Sequence, residues 1–126
     1  MHSATLKVVF TAEELRLLDS TAEVEIRVGG RQALPIWIVV DGERVYIRSV
    51  RGPAGRWYQN VVSGAEARLA ADRRVWTIRT QHVSDQAEIA HVSRAIERKY
   101  QSRWPGPTAA MLRPEVLPTT LRVEPA

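Results

Sequence analysis

The sequence predicts a mainly β fold of the α+β class, in which six antiparallel strands form a small closed or nearly closed barrel accompanied by three helices. The turn signals Asp41-Gly42 and Asp72-Arg73 each join two strand patterns, and strands joined by such tight turns are antiparallel. A barrel is favoured because closing the sheet removes the exposed edges that would pair with other chains. The chain of 126 residues is long enough to bury its own core, so we expect one domain, 1–126.

A short N-terminal helix is predicted from its capping signals. Thr11 can accept a bond from the first turn, and Glu14 is placed to bond back to it. Phe10 and Leu15 occupy the two positions of a hydrophobic staple across this cap. We expect the helix to end near Ser20.

Two further helices are predicted, a short one in mid-chain at residues 56–62 and a longer C-terminal one at residues 85–101. The short helix has apolar residues at helical spacing and ends at a glycine. The longer helix starts with Asp85 as its cap. Its apolar stripe consists of Ile89, Val92, Ile96 and Tyr100.

The strands are predicted from alternation and from apolar runs. Residues 23–28 alternate between charged and apolar side chains, so one face of this strand is expected in water. Residues 34–40 are apolar throughout, which predicts a strand covered on both faces. The remaining strands are predicted at residues 44–50, 66–71, 74–81 and 119–124. The proline-containing stretch 104–118 is predicted to be a long connection.

Composition limits the possible chemistry. Arginine provides 16 of the 18 basic residues, against 14 acidic ones, and the pI is about 10.1. The arginine fork grips phosphate or carboxylate at two points, which lysine does not. The chain has no cysteine, which excludes disulfides and thiolate metal sites, and we expect a cytoplasmic protein. The histidines lack metal-ligand spacing and no apolar run is long enough to cross a membrane, so we expect neither a metal nor a membrane partner.

The strongest candidate for binding chemistry is the stretch 45–60, which contains Arg48, Arg51 and Arg56 and no acidic residue. Arg48 and Ser49 end a strand, a loop with two glycines follows, and a helix starts near Arg56. Arginine forks, a serine hydroxyl and the free N–H groups of a helix start all favour an anion, and glycine lets the backbone approach a ligand. The pattern therefore predicts a phosphate or carboxylate site, although a solvated arginine loop with ordinary turn residues fits the same letters.

Three segments carry a resemblance to a known family. They are "VYIRSVRGPAGRWYQNV" at 45–61, "AIERKY" at 95–100 and "TTLRVEP" at 119–125. Together with the order of strands and helices, they resemble a small bacterial family of unknown function within the split β-barrel flavin- and deazaflavin-binding proteins, the pyridoxamine 5'-phosphate oxidase-like group. The resemblance extends over most of the chain, from about residue 23 to residue 125.

The resemblance implies a six-stranded split barrel, usually a homodimer, that binds FMN or a deazaflavin coenzyme between its subunits. It also implies that basic residues at a strand end and in the following loop hold the cofactor phosphate, while another strand lines the ring system. The matching positions for the phosphate are Arg48, Ser49, Arg51, Arg56 and Trp57, with Asn60 beside them. Those for the ring are Pro35, Ile36 and Trp37. No catalytic or substrate residue of the characterised oxidases has a match, so the catalytic residues stay unassigned.

Two hypotheses of function remain at this stage, and they leave open whether the chain is an enzyme. The first is a flavin- or deazaflavin-binding oxidoreductase that transfers a hydride to a small molecule, in which the cofactor carries the chemistry. The second is a non-enzymatic anion- or nucleic-acid-binding barrel, or a barrel that has lost its cofactor and only dimerises. Dispersed arginines and an acidic strand face at 23–28 argue against nucleic acid. Replacing Arg48 and Arg51 with Ala is predicted to abolish binding and leave the fold intact.

Overall fold

The computed structural model describes residues 8–126, within which the chain forms four helices and seven strands. The helices are α1 Ala12–Ser20, α2 Arg56–Val62, α3 Gln86–Tyr100 and α4 Pro105–Met111. The strands are β1 Glu23–Val28, β2 Leu34–Trp37, β3 Val39–Asp41, β4 Arg44–Ile47, β5 Ala67–Ala71, β6 Arg74–His82 and β7 Leu121–Pro125. The mainly β, α+β class expected from the sequence is confirmed.

The seven strands form one antiparallel sheet in the order β2-β1-β5-β6-β7-β4-β3. The two outermost strands, β2 and β3, are consecutive in the chain and are separated only by Ile38. Because β2 pairs with β1 and β3 pairs with β4, the sheet curls into a nearly closed barrel. The single strand predicted over residues 34–40 is therefore divided in two, which is why the structure has seven strands and the prediction six.

The division at Ile38 has a cause in α3. The Ile38 N–H donates to the Tyr100 hydroxyl at 3.2 Å, and the Ile38 carbonyl lies 3.0 Å from that hydroxyl. The same carbonyl accepts a 2.7 Å hydrogen bond from the Lys99 ammonium group. Burial raises the pKa of Tyr100 to about 12 and lowers that of Lys99 to about 8. The end of α3 thus holds the bend of the barrel, since it satisfies the backbone groups that a neighbouring strand would otherwise bond.

The predicted start of α1 is confirmed as a full capping box. Glu14 donates its N–H to the Thr11 hydroxyl at 3.1 Å, and Thr11 donates its N–H to the Glu14 carboxylate at 2.8 Å. Phe10 and Leu15 both pack against the barrel core, as a staple requires. The Trp76 indole donates to the other oxygen of Glu14 at 2.6 Å, which attaches α1 to β6.

The hydrophobic core has two parts. One fills the barrel and includes Val24, Ile26 and Leu69. The other lies between α3 and the outer side of β3 and β4, and it contains the whole predicted stripe of α3. The β3 strand is therefore covered on both faces, as expected for the apolar run 34–40, whereas at β2 that expectation is wrong. Leu34 and Pro35 of β2 are exposed because they border a cavity.

The connection predicted over residues 104–118 is more ordered than expected. It contains α4 and leads into a 3-10 turn at Leu117–Thr119. Two prolines stand in the first turn of α4, where the missing N–H group has no helical partner to lose. Within residues 8–126, no helix combines the length and the apolar character needed to cross a membrane.

Side-chain bonds end β4 earlier and start β7 later than predicted. Ser49 donates its N–H to the Thr119 hydroxyl at 3.0 Å, and Arg48 donates Nε–H to the Thr120 hydroxyl at 2.8 Å. These bonds replace strand pairing, so β4 stops at Ile47. The chain is thereby free to turn away from the sheet at the point where the cavity opens.

Candidate cofactor-binding site

A cavity of about 890 Å³ lies between β2, the segment after β4, and the corner between α3 and α4. This volume is in the range of pockets that enclose small ligands and cofactors. Its lining comes from three parts of the chain. These are Ala22, Glu23, Leu34, Pro35, Ile36 and Trp37; Arg48, Ser49, Val50, Arg51, Gly55, Arg56 and Trp57; and Arg103, Trp104, Pro107 and Met111.

The cavity gathers eight of the nine residues that the sequence marks as candidate cofactor contacts. Arg48, Ser49, Arg51, Arg56 and Trp57 line it from one side, and Pro35, Ile36 and Trp37 line it from β2. These two groups are brought together because the barrel strand bends away at Ile38 and leaves a gap beside β2. The arrangement thus joins the predicted phosphate side and the predicted ring side in one space.

Asn60 is the predicted residue that does not line the cavity. It lies on α2, half-buried, and its carbonyl accepts the N–H of Ala65 at 3.1 Å. Its amide nitrogen Nδ2 is buried without a hydrogen-bond partner among the residues described. Asn60 therefore does not share the cavity with the other eight candidate cofactor contacts.

Arg48 is only 2% exposed and forms part of the cavity wall. Its guanidinium donates to the carbonyls of Met111 at 3.2 Å and Ile89 at 2.9 Å, in addition to its bond to Thr120. All three acceptors are neutral, and burial lowers the pKa of Arg48 to about 10. Arg48 therefore carries its charge at neutral pH, but its bonds hold α3, α4 and the start of β7 together. The expectation that it can be removed without harm to the fold is not supported.

Ser49 shapes the loop that follows. Its hydroxyl donates to the Gly52 carbonyl at 2.8 Å, and its side chain is 1% exposed. Gly52 has a φ of +68°, and a Cβ there would lie 3.1 Å from the Glu115 carbonyl oxygen. A Cβ on Gly55 would overlap the Ser49 hydroxyl. Both glycines are thus required by close packing within the loop.

Arg51 and Arg56 are the arginines of this loop that remain available to a ligand. Both are exposed, and neither makes an ion pair or a side-chain hydrogen bond within residues 8–126. Trp57, next to Arg56, is half-buried and packs against the barrel core. The loop therefore presents two free guanidinium groups from a backbone that Arg48 and Ser49 hold in place.

Aromatic rings form another part of the wall. The rings of Trp37 and Tyr100 are stacked, with centroids 3.8 Å apart and an interplanar angle of 7°. Trp104 packs against both, at centroid distances of 6.2 Å and 6.1 Å. Since Tyr100 covers one face of the Trp37 ring, the surface that Trp37 offers to the cavity belongs to its other face and edge. The wall beside β2 is rigid and largely apolar.

Sequence reasoning missed the third side of the cavity. It predicted a long connection over residues 104–118 and assigned no binding role to Arg103, Trp104, Pro107 or Met111. Trp104, Pro107 and Met111 are spaced as neighbours on one face of a helix, and this spacing is a signal that could have been found. This helical spacing was not recognised because the prolines in the stretch suggested that the helix stops there.

A separate ionic cluster lies outside the cavity and centres on Glu88. Glu88 accepts bonds from the Tyr46 hydroxyl at 2.6 Å and from Arg122 at 2.8 Å, with Arg44 at 3.4 Å. The bond from Tyr46, followed by those from the arginines, lowers the pKa of Glu88. The cluster connects α3 to β4 and β7, so its role is to fix the helix that forms the second core. No group of three or more potential metal-ligating side chains lies together in the described part of the chain.

Solved structures of flavin and deazaflavin proteins share this architecture. The FAD binding protein from Mycobacterium smegmatis matches with a TM-score of 0.54 and 22% identity, over 94% of this chain and 92% of its own. An F420-H2 dependent reductase, FDR-A, matches with a TM-score of 0.57 and 12% identity, over 82% and 94%. The flavocytochrome Anf3 from Azotobacter vinelandii matches with a TM-score of 0.56 and 17% identity, over 90% and 62%. Identities this low establish a common fold and leave function to be argued from the site.

The fold is that of the split β-barrels of the pyridoxamine 5'-phosphate oxidase-like group. The chain itself belongs to a family described as uncharacterized proteins conserved in bacteria, DUF2255, whose model matches residues 5–123. The resemblance inferred from the three sequence segments is therefore confirmed. A search of curated proteins found no match.

Proposed function

We propose that this protein binds a phosphate-bearing flavin or deazaflavin cofactor in the cavity and acts as an oxidoreductase that transfers a hydride to a small molecule. The observation that carries the proposal is the joining of two free arginines and an apolar aromatic wall in one cavity of about 890 Å³. The solved flavin- and deazaflavin-related proteins of the same fold give it further support.

The donor groups of the loop suit a phosphate. Arg51 and Arg56 have unused guanidinium groups, and an arginine fork bonds two phosphate oxygens at once. The buried charge of Arg48 adds positive potential without a competing carboxylate bonded to it. Because α2 is only seven residues long, we assign the binding of the phosphate to the arginines and not to the helix end.

The β2 side suits a flat ring. Pro35, Ile36 and Trp37 present apolar surface there, and Tyr100 locks the Trp37 ring from behind. A bound flavin or deazaflavin supplies the hydride chemistry at its ring. The residues of this chain position the ring and keep water from its apolar face, so the absence of an acid–base constellation does not argue against an enzyme.

We also propose a cytoplasmic homodimer in which a second copy completes the site. Leu34 and Val50, at the edge of the cavity, are 43% and 45% exposed, although both are large and apolar. A partner subunit that covered them would also enclose the ligand. Burial of such side chains is favourable by roughly 25 cal/mol for each Å² removed from water.

Two measurements test the proposal. The absorbance spectrum of the protein as purified shows whether a flavin-like chromophore is retained, and titration with FMN and with the deazaflavin coenzyme F420 measures affinity. We expect at least one of them to bind at micromolar protein, and riboflavin, which lacks the phosphate, to bind more weakly than FMN. Absence of binding by both cofactors would overturn the proposed function.

Single-stranded nucleic acid is the second candidate, since free arginines and Trp57 also suit phosphates and bases. The exposed Glu23 and Glu25 on β1 disfavour it, because they place negative charge on a barrel face. Salt separates the two candidates. Binding of an oligonucleotide falls steeply as the salt concentration rises, whereas binding of a cofactor within a largely apolar cavity depends on salt only weakly.

A further inference from the structure

Arg103 is a free cation that lines the cavity at the corner between α3 and α4. It is exposed and makes no ion pair or hydrogen bond from its side chain within residues 8–126. Its guanidinium carbon lies 4.7 Å from the centroid of the Trp104 ring. A guanidinium stacked on an indole is held in position while its N–H edge stays available to an acceptor.

Arg103 and Arg48 contact opposite ends of α4. Trp104 caps the start of α4, and Met111, which ends it, accepts the hydrogen bond from Arg48. With a rise of about 1.5 Å per residue, the seven residues of α4 place the two ends about 10 Å apart. Pro107 and Met111 line the cavity along this length. The cavity thus has positive charge near both ends of α4, from Arg103 beside Trp104 and from Arg48 beside Met111.

The surroundings of Arg103 define the kind of ligand. Trp104 packs against the stacked pair of Trp37 and Tyr100, so the cation sits beside a rigid aromatic surface. An arginine fork pairs with a carboxylate in two hydrogen bonds, and an aromatic wall favours a flat body attached to it.

We infer that Arg103 and Trp104 form a second anion subsite of the cavity, which binds the carboxylate of a flat aromatic acid as the second reactant. The role of second reactant rests on the proposed function, whereas the binding of the acid at Arg103 and Trp104 does not. The acid binds to residues that the cofactor phosphate does not use, so that the two ligands occupy the cavity together.

The negative charge of Glu23 should weaken the binding of such an acid, which provides a further test of the inference. Glu23 lines the cavity and stands opposite Trp37 in the β1–β2 ladder, yet it does not form an ion pair with Arg103. A negative charge there repels an acid by a screened Coulomb interaction. Replacing it with Gln should therefore tighten binding of an acid and leave binding of a neutral analogue unchanged.

The test uses nicotinate and nicotinamide, two probes of similar shape that differ in charge. Their binding is followed by the indole N–H signals of the tryptophans in NMR spectra of the whole chain, with and without FMN. Trp76 serves as an internal control because its indole N–H is bonded to Glu14 away from the cavity. We expect nicotinate to shift Trp37 and Trp104, and to bind about tenfold more tightly than nicotinamide.

The variants Arg103→Gln, Arg51→Gln and Arg73→Gln separate the possible outcomes, with Arg73 as an exposed arginine remote from the cavity. Arg103→Gln is expected to abolish the preference for nicotinate and to leave the affinity for FMN unchanged. Arg51→Gln is expected to lower the affinity for FMN and to leave the preference for nicotinate unchanged. Arg73→Gln is expected to change neither the affinity for FMN nor the preference for nicotinate. A preference that survives Arg103→Gln, or that disappears with Arg51→Gln, overturns the inference. If no flavin binds while the nicotinate preference depends on Arg103, the subsite stands and the proposed cofactor function fails.

Discussion

Two cations of this protein, the buried Arg48 and the half-buried Lys99, donate their hydrogen bonds to neutral oxygen atoms. Arg48 donates to two carbonyls and a hydroxyl, and Lys99 donates to the carbonyls of Leu18 at 3.0 Å and Ile38 at 2.7 Å. Each of them connects parts of the chain that are far apart in sequence. A buried cation of this kind is costly to desolvate but also costly to remove, since its acceptors lose their donors.

The first prediction contrasts Arg48 with Arg51. Replacing Arg48 with Ala removes three hydrogen bonds and leaves a cavity, so the free energy of unfolding should fall by about 3 kcal/mol. Arg51→Ala should change it by less than about 0.5 kcal/mol, because Arg51 is exposed and unbonded. Urea denaturation measures both. Equal stability of the two variants would show that the bonds of Arg48 do not hold the fold.

The second prediction concerns pH. Desolvation lowers the pKa of Lys99 to about 8, against an ordinary value of 10.5, and the nearby Asp19 opposes this only in part. The unfolded chain then binds the Lys99 proton more tightly than the folded one between about pH 8 and pH 10.5. The stability of the protein relative to the variant Lys99→Met should therefore rise with pH through this window and be lowest below it.

Urea denaturation of both proteins at a series of pH values measures this difference. Groups that titrate in the same range but lie apart from Lys99 contribute equally to both proteins, so the comparison with Lys99→Met cancels them. A difference that stays constant, or that falls as the pH rises, would mean that Lys99 is as well solvated in the fold as in the unfolded chain.

Among the elements, the loop between β4 and α2 is closely packed. Its two glycines are both buried, one by the backbone at Glu115 and the other by the Ser49 side chain. This packing fixes where the loop backbone runs, and with it the positions from which Arg51 and Arg56 reach the cavity. The packing thus fixes the backbone of the loop, while the side chains of Arg51 and Arg56 remain exposed.

The third prediction compares two glycines. Gly55→Ala should destabilise the protein by about 2 kcal/mol, because its new methyl group overlaps the Ser49 hydroxyl. Gly106→Ala, in α4, meets nothing within 4 Å and should stabilise it by about 0.5 kcal/mol. The double variant Ser49→Ala with Gly55→Ala should recover part of the loss. If the effects of Ser49→Ala and Gly55→Ala on the free energy of unfolding simply add in the double variant, the two side chains do not overlap.

How far the sequence predicted these elements depended on how local their causes are. The capping box at Thr11 and the stripe of α3 follow from residues close together in the chain, and both are confirmed. The bend at Ile38 is decided by Tyr100, 62 residues away, and no local pattern contains that information. The candidate site shows the same division. Its loop was visible in 45–60, whereas Arg103 reaches the cavity only through the packing of α3 and α4.

At the scale of the whole molecule, the cavity is a consequence of how the barrel closes. The sheet order brings β2 and β3 to opposite ends, and a single residue joins them. The chain passes from β2 at one edge of the sheet to β3 at the other edge. At this crossing a gap opens beside β2, and the loop after β4 borders the gap. The candidate site is therefore produced by the topology of the barrel itself. The exposed apolar residues at its edge are the part of the molecule that a second copy would cover.

The last prediction tests that dimer. Val50→Asp replaces an apolar side chain at the edge of the cavity with a charged one, which the proposed partner would have to remove from water, so dimerisation should weaken by about a hundredfold. Val75→Asp is the matched control, because Val75 is 65% exposed on β6 and does not line the cavity. Sedimentation velocity measures the oligomeric state, and FMN titration of the same samples measures whether affinity falls with it. We expect Val50→Asp to be monomeric with weakened binding and Val75→Asp to match the unmodified protein. A monomeric unmodified protein, or a Val50→Asp variant that still dimerises, would mean that this face does not form the interface.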